Sequence, residues 1–163
     1  MIDIKQVVAN TDIHNVVQLA DTIWREHYIP IVGKPQIDYM LEKYQSASAI
    51  SEQIENGYEY YLMLYNEKEV GYLAILQEKS ALFLSKIYVL KSFRGLKIGK
   101  QAMAFIETKA RTYQKSKIRL TVNIHNVNSI EAYTKLGFRN AGPQVTDIGS
   151  GFIMDDYVLV KTV

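Results

Sequence analysis

The residues with the most to do chemically stand in one run of strand, turn and helix. It reads Leu84-Ser-Lys-Ile-Tyr-Val-Leu90, then Lys91-Ser-Phe-Arg-Gly-Leu-Lys-Ile-Gly-Lys100, then a long amphipathic stretch. A helix that opens from a glycine-containing turn presents unpaired backbone N–H groups and the positive end of its dipole. Those groups bind phosphate oxygens whatever the side chains are. Gly95 and Gly99 let the backbone come close to an anion, and Arg94, Lys97 and Lys100 add charge-assisted donors. Taken alone, the same turn is also an ordinary helix start with surface bases. Neither Gly-x-x-x-x-Gly-Lys-Ser/Thr nor Gly-x-Gly-x-x-Gly is present, which argues against ATP and NAD as the ligand.

A second constellation follows thirty residues later: Asn126-Val-Asn-Ser129-Ile-Glu-Ala-Tyr133-Thr-Lys-Leu-Gly137-Phe138. Asn128 with Glu131 reads as a capping box opening a short helix. Ser129 and Tyr133, four apart, share a face of it, and Gly137 is placed to end it. In isolation this is also a well-capped helix whose Tyr133 fills the core. Elsewhere the chemistry is sparse. There is no cysteine, so disulfides and thiolate chemistry are excluded, and His14, His27 and His125 lack metal-ligand spacing.

The elements that must position these residues follow from periodicity. Ile2–Val8 alternates as a strand, and Ile13, Val16, Ala20, Ile23 and Trp24 recur as one helical face over residues 12–27. Pro30, Gly33 and Pro35 are expected to break that helix. A second helical region, in one or two pieces, spans Gln36–Glu55. Strands at Tyr58–Tyr65 and Glu69–Leu76 flank a hairpin signal at Asn66-Glu67-Lys68. Then come a strand at Ala81–Leu90, a helix at Gly95–Gln114, a strand at Lys117–Ile124, a helix at Asn128–Leu136, and strands at Phe138–Val145 and Phe152–Lys161. Hairpins feed the sheet in the first half and helical crossovers in the second, which predicts an α/β chain with a mixed sheet.

The totals fit one domain over 1–163: nearly half the residues are apolar and 22% are charged. No apolar run approaches the ~20 residues of a membrane span, and the opening Met-Ile-Asp-Ile-Lys has no secretory pattern. A cytoplasmic address is the expectation. Net charge is only +2, but residues 1–70 carry eleven acids and five bases, whereas 71–163 carry six acids and fourteen bases. Lys79–Ile106 holds six bases and no acid. A basic stretch this local suits a compact polyanion better than a nucleic-acid track, and it is also readable as a solvated face.

Together, Arg94-Gly-Leu-Lys-Ile-Gly99 and Asn126-x-x-Ser129-x-x-x-Tyr133-x-x-x-Gly137-Phe138 resemble the GNAT superfamily of acetyl-CoA-dependent N-acetyltransferases. The likeness covers the order of elements throughout and, in motifs, residues 84–138. Lys97 stands where the first motif ordinarily has its central glycine. Ile23-Trp-Arg-Glu-His-Tyr28, the helical stretch to Ile54 and the ending Met154-Asp-Asp-Tyr-Val-Leu-Val-Lys161 resemble more narrowly the PaiA-type polyamine acetyltransferases.

The resemblance implies a mostly antiparallel sheet of about seven strands with about four helices, and a splayed parallel pair that holds acetyl-CoA as co-substrate. It implies that backbone groups of Ile87, Tyr88 and Val89 meet the pantetheine and that Arg94, Gly95, Leu96, Lys97, Ile98, Gly99 and Lys100 hold the pyrophosphate. By the same likeness Asn126 and Ser129 line the cofactor arm, and Tyr133 protonates the departing thiolate. Glu26 and His27 are the candidates for the base that accepts the amine proton. The acceptor implied is a small-molecule amine, a polyamine first, or a peptide, and a homodimer suits the family. No metal, nucleic-acid or membrane partner is expected. A non-catalytic coenzyme A-binding module is the alternative.

Overall fold

The computed structural model describes residues 1–163. β1 (Ile2–Gln6) leads into three consecutive helices, α1 (Asn10–Val32), α2 (Lys34–Gln45) and α3 (Ala47–Glu55). Three strands follow, β2 (Glu59–Tyr65), β3 (Lys68–Gln77) and β4 (Ala81–Val89). The second half runs α4 (Ile98–Thr112), β5 (Lys117–Asn123), α5 (Val127–Lys135), β6 (Arg139–Gly149) and β7 (Phe152–Thr162). The sheet order is β1-β2-β3-β4-β5-β7-β6, and only β4 and β5 are parallel. The mixed sheet read from hairpins and crossovers is therefore present. No helix is long and apolar enough to cross a membrane.

Each sheet face carries its own core. On one, Ile98, Ala102 and Ile106 of α4 pack on Leu73, Leu84 and Leu120. On the other, Trp24, Ile37 and Ile50 of the three N-terminal helices pack on Tyr60, Tyr72 and Ala74. A buried polar chain fixes that second layer. Trp24 Nε1 donates to the Tyr72 hydroxyl at 3.0 Å, and that hydroxyl donates to Gln45 Oε1 at 2.7 Å. Gln45 Nε2 donates to the Tyr60 hydroxyl at 3.0 Å, which donates to Gln53 Oε1 at 2.6 Å. All three helices are thus tied to β2 and β3, and a satisfied network of this kind specifies one packing.

Several boundaries differ from those expected. Pro30 does not end α1. Proline forfeits a single bond to the carbonyl one turn back, and the helix runs on to Gly33, where φ of 87° turns the chain and the Gly33 N–H closes on the Ile29 carbonyl at 2.9 Å. Ser46 divides the second helical region, its hydroxyl accepting from the Ala49 N–H at 3.2 Å. The first hairpin turns on Asn66 and Glu67 alone, both at positive φ, so Lys68 belongs to β3. β6 continues to Gly149 because β7 pairs with it along its length.

β4 has two irregularities, and both lie beside the widest opening in the sheet. Against β3, Ala74 pairs with Lys86 and Ile75 with Leu84, so Ser85 is an extra, unpaired residue: a β-bulge. Against β5, β4 pairs at Ala81, Leu82 and Phe83 only. Past that point the strands part.

Candidate active site

Where β4 and β5 separate, the backbone groups on their facing edges have no strand partner, and buried backbone polar groups require one. A cleft of about 1050 Å³ opens there, bounded by the end of β4, the α4 turn and α5. That is at the upper end of small-molecule sites, roughly 300–1,000 Å³. Ile87, Tyr88 and Val89 line it, as do Arg94, Gly95, Lys97, Ile98 and Gly99. Leu96 and Lys100 do not: both are solvent-exposed beside it.

The turn into α4 is a single 3-10 turn, Lys91–Phe93, followed by residues 94–97, so the helix begins at Ile98 rather than Gly95. Gly95 sits at φ 83°, and Lys97, the residue in the place of a glycine, at φ 61°, ψ 23°. The lysine takes the left-handed conformation the turn demands, at a cost of about 1–2 kcal/mol, instead of remodelling the turn. A Cβ at Gly95 or Gly99 would meet nothing within 4 Å, so the backbone there faces open space. Free N–H groups, open backbone and the Arg94 and Lys97 cations suit a pyrophosphate.

α5 supplies the opposite wall. Asn126, not Asn128, occupies its N-cap, so the expected capping box is absent. Asn126 is only 5% exposed and lines the cleft with Ser129 and Tyr133. The Tyr133 ring packs edge-on against Phe138 with centroids 5.6 Å apart, and its hydroxyl makes no hydrogen bond within the protein. Gly137, at φ 99°, closes the helix, with the Phe138 N–H returning to the Tyr133 carbonyl at 3.1 Å. Burial, with Tyr28 nearby, pushes the Tyr133 phenol well above its ordinary value.

Tyr28, to which the sequence assigned no site role, stands with Tyr88 at the neck of the cleft, their hydroxyls 3.0 Å apart. Burial raises both phenols, and the Asp156 charge raises Tyr28 further against the pull of the Tyr88 hydrogen bond. His27 faces this same cleft, and burial and the Arg94 charge hold its pKa below the usual imidazole value, with Asn126 pulling the other way. Glu26 does not line this cleft and points toward Lys91, 4.0 Å away. Neither of the two candidate bases reaches the second cavity.

That second cavity, about 460 Å³, lies against the N-terminal helices and shares Tyr28, Ser85, Lys86, Tyr88, Thr121 and Val122 with the first. The gap between β4 and β5 is thus a passage through the sheet. In its wall Asp156 of β7, 4% exposed, pairs in register with Asn123 and Gln144 and has no hydrogen-bonded or ionic partner for its carboxylate. Burial raises its pKa to about 6, and Asp155 beside it pushes the same way. Burial lowers Lys86 to about 8.

The raised Asp156 pKa makes stability depend on pH. The native carboxyl holds its proton up to about pH 6, whereas the unfolded one releases it near 3.8, so the native state binds more protons between them and loses stability as pH rises through that window. Asp156→Asn has nothing to ionise. It is expected to be more stable than the parent above about pH 6, by roughly 1–3 kcal/mol, with the difference vanishing near pH 4. Denaturant unfolding of both proteins across that range checks this, and a variant less stable at pH 7 contradicts it.

A family model described as the acetyltransferase (GNAT) domain matches residues 32–154. No curated protein matches the chain in sequence. Among solved structures it resembles the PaiA N-acetyltransferase of Thermoplasma acidophilum in complex with coenzyme A, at 17% identity and a TM-score of 0.83, covering 100% of this chain and 99% of that one. It resembles a GNAT family acetyltransferase of Elizabethkingia anophelis with acetyl-CoA bound, at 19% identity, TM-score 0.68, and coverage of 99% and 98%. The ribosomal-protein-S18-alanine N-acetyltransferase of Escherichia coli shares 15% identity at TM-score 0.74, with coverage of 100% and 94%.

Proposed function

This chain belongs to the GNAT family of acetyltransferases, and from that premise we propose that it transfers the acetyl group of acetyl-CoA to a primary amine of a small molecule. The observation that carries this reading is the parting of β4 and β5 after Phe83, which joins a phosphate-suited cleft on one side to a separate walled cavity on the other. In this reading the turn from Arg94 to Gly99 holds the pyrophosphate. The free backbone edge at Ile87–Val89 holds the pantetheine arm and orients the thioester carbonyl. Asn126 and Ser129 line the arm.

The amine nitrogen attacks the thioester carbonyl, a C–N bond forms and the C–S bond breaks. Tyr133 gives its proton to the leaving sulfur. A free thiol has pKa ~8.5 and a free phenol ~10, so the phenol stays protonated until charge develops on sulfur, and burial makes that thiolate more basic too. No cysteine is needed, and the chain has none. A small acceptor suits a cavity of about 460 Å³, and a polyamine is the member of that class that the narrower resemblance favours.

Thermal unfolding with and without acetyl-CoA, at about a hundred times its Kd, tests the reading. Binding to the native state alone adds ~2.7 kcal/mol, a rise of roughly 5–11 °C for a chain of this size. Thiol release with an amine panel then reports transfer. A rise without transfer to any amine leaves a coenzyme A-binding module. No rise up to millimolar acetyl-CoA rejects the cofactor.

A further inference from the structure

The second cavity has three charged side chains in its wall, Lys86, Arg119 and Asp156. Arg119 is already neutralised: its Nε and Nη2 donate to the Glu78 carboxylate at 2.9 and 2.7 Å. The other two have no counter-ion. The Lys86 ammonium donates only to the neighbouring Ser85 hydroxyl, at 2.7 Å, with no acid within 4 Å. Asp156 is 4% exposed and unpartnered.

The bulge at Ser85 decides where the lysine points. Leu82 and Leu84 face the α4 core, and strict alternation would send Lys86 there with them. The extra residue reverses the parity, so Ile87 takes the core position and Lys86 shares the other face with its cross-strand partner Ala74 and with Tyr88. A charged chain that would have been buried among leucines is delivered to the cavity instead. Asp156 reaches the same cavity from β7, two strands away. At ~4.8 Å per strand the two backbones stand about 10 Å apart, and the splay widens that.

Resting on the acetyl-transfer reading, we infer that the acceptor is a primary amine carrying an oxyanion, carboxylate or phosphate, several bonds away, with Asp156 receiving the amine and Lys86 the oxyanion. A buried carboxylate and a half-buried ammonium without counter-ions are each unfavourable until opposite charge arrives, and one ligand satisfies both. Trp24, Tyr58 and Phe83 offer apolar wall to the body between them. A polycation would set a second ammonium against Lys86. In turnover the bound ammonium gives one proton to Asp156 and attacks as the free amine. Tyr133 protonates the sulfur, the nitrogen's second proton restores the Tyr133 phenol through solvent, and Asp156 returns its proton to water. One proton is released per acetyl transferred.

The test compares a homologous series of ω-amino acids and aminoalkyl phosphates with alkylamines and α,ω-diamines of matched length, spermidine among the latter. Each is measured by thiol release, and by calorimetric binding to the protein saturated with coenzyme A, which needs no turnover. The anionic amines are expected to exceed the matched alkylamines by about 10- to 100-fold in kcat/KM and in affinity. The phosphate and carboxylate arms separate the two oxyanions. In Lys86→Gln the ratio of anionic to neutral amine should collapse toward one through KM, and Lys86→Arg should restore most of it. In Asp156→Asn, kcat should fall for every amine. Preference for diamines or spermidine, or a ratio unmoved in Lys86→Gln, overturns the inference while acetyl-CoA still raises the melting temperature. Loss of that rise overturns the underlying reading and this one with it.

Discussion

Tyr133→Phe is expected to lower kcat by about 100- to 10,000-fold, the span for removing one general acid. The phenol hydroxyl makes no hydrogen bond within the protein, so its loss leaves no orphaned partner. The ring that packs edge-on against Phe138 stays. The fold and the rise in melting temperature with acetyl-CoA should therefore persist, and the loss should fall on kcat rather than on affinity. Steady-state thiol release at saturating acetyl-CoA measures it. A turnover number equal to the parent's would take Tyr133 out of the mechanism.

Gly71→Ala should damage the protein more broadly. Gly71 lies opposite Val89 in the β3–β4 ladder, and a Cβ there would press into the Tyr88 carbonyl oxygen, with Met63 Cε at 2.9 Å and the Val89 Cα at 3.1 Å. Main chain cannot rotate aside as a flexible side chain can, so the two strands must part. Overpacking of this kind costs about 1–3 kcal/mol or more, and near the upper figure a chain of this size loses roughly 6–12 °C in Tm. Because the displaced residues are Tyr88 and Val89, the acetyl-CoA response should shrink along with the melting temperature. A variant melting within about a degree of the parent would show that the sheet absorbs the methyl group.

The features legible in the sequence were those that depend on neighbours along the chain. A glycine-bearing turn before an amphipathic helix, and Ser129 and Tyr133 one helical turn apart, carry their meaning within a dozen residues. So do the hairpin signal at Asn66-Glu67-Lys68, whose turn proved one residue shorter, and the mixed order of elements. Pro30 does not stop α1 because the effect of proline on a helix is local, whereas Tyr28, Ile29 and Val32 pack the last turns of α1 against the core on that face of the sheet. Lys97 accepts positive φ because the surrounding turn imposes it.

Lys86 and Asp156 were not legible for a different reason. Their meeting depends on β7 inserting between β5 and β6, on β4 and β5 parting, and on one unpaired serine reversing an alternation. None of these leaves a mark within a sequence window. One trace does exist: Ser85-Lys86 and Asp155-Asp156 each interrupt an apolar run within their strand. Such interruptions are costly in a core and so point to a cavity.

The passage through the sheet also separates what can change from what cannot. The turn before α4, together with α5, lies on one side; residues of α2 and β6, with Met154 and Asp156 of β7, line only the other. On the proposed assignment, a mutation confined to residues that line only the second cavity leaves the donor's seat intact, so acceptor preference can drift by single substitutions without an intermediate that has lost its coenzyme. Chains built this way can share a backbone while retaining few common residues, and their lineages can diversify from the acceptor wall alone.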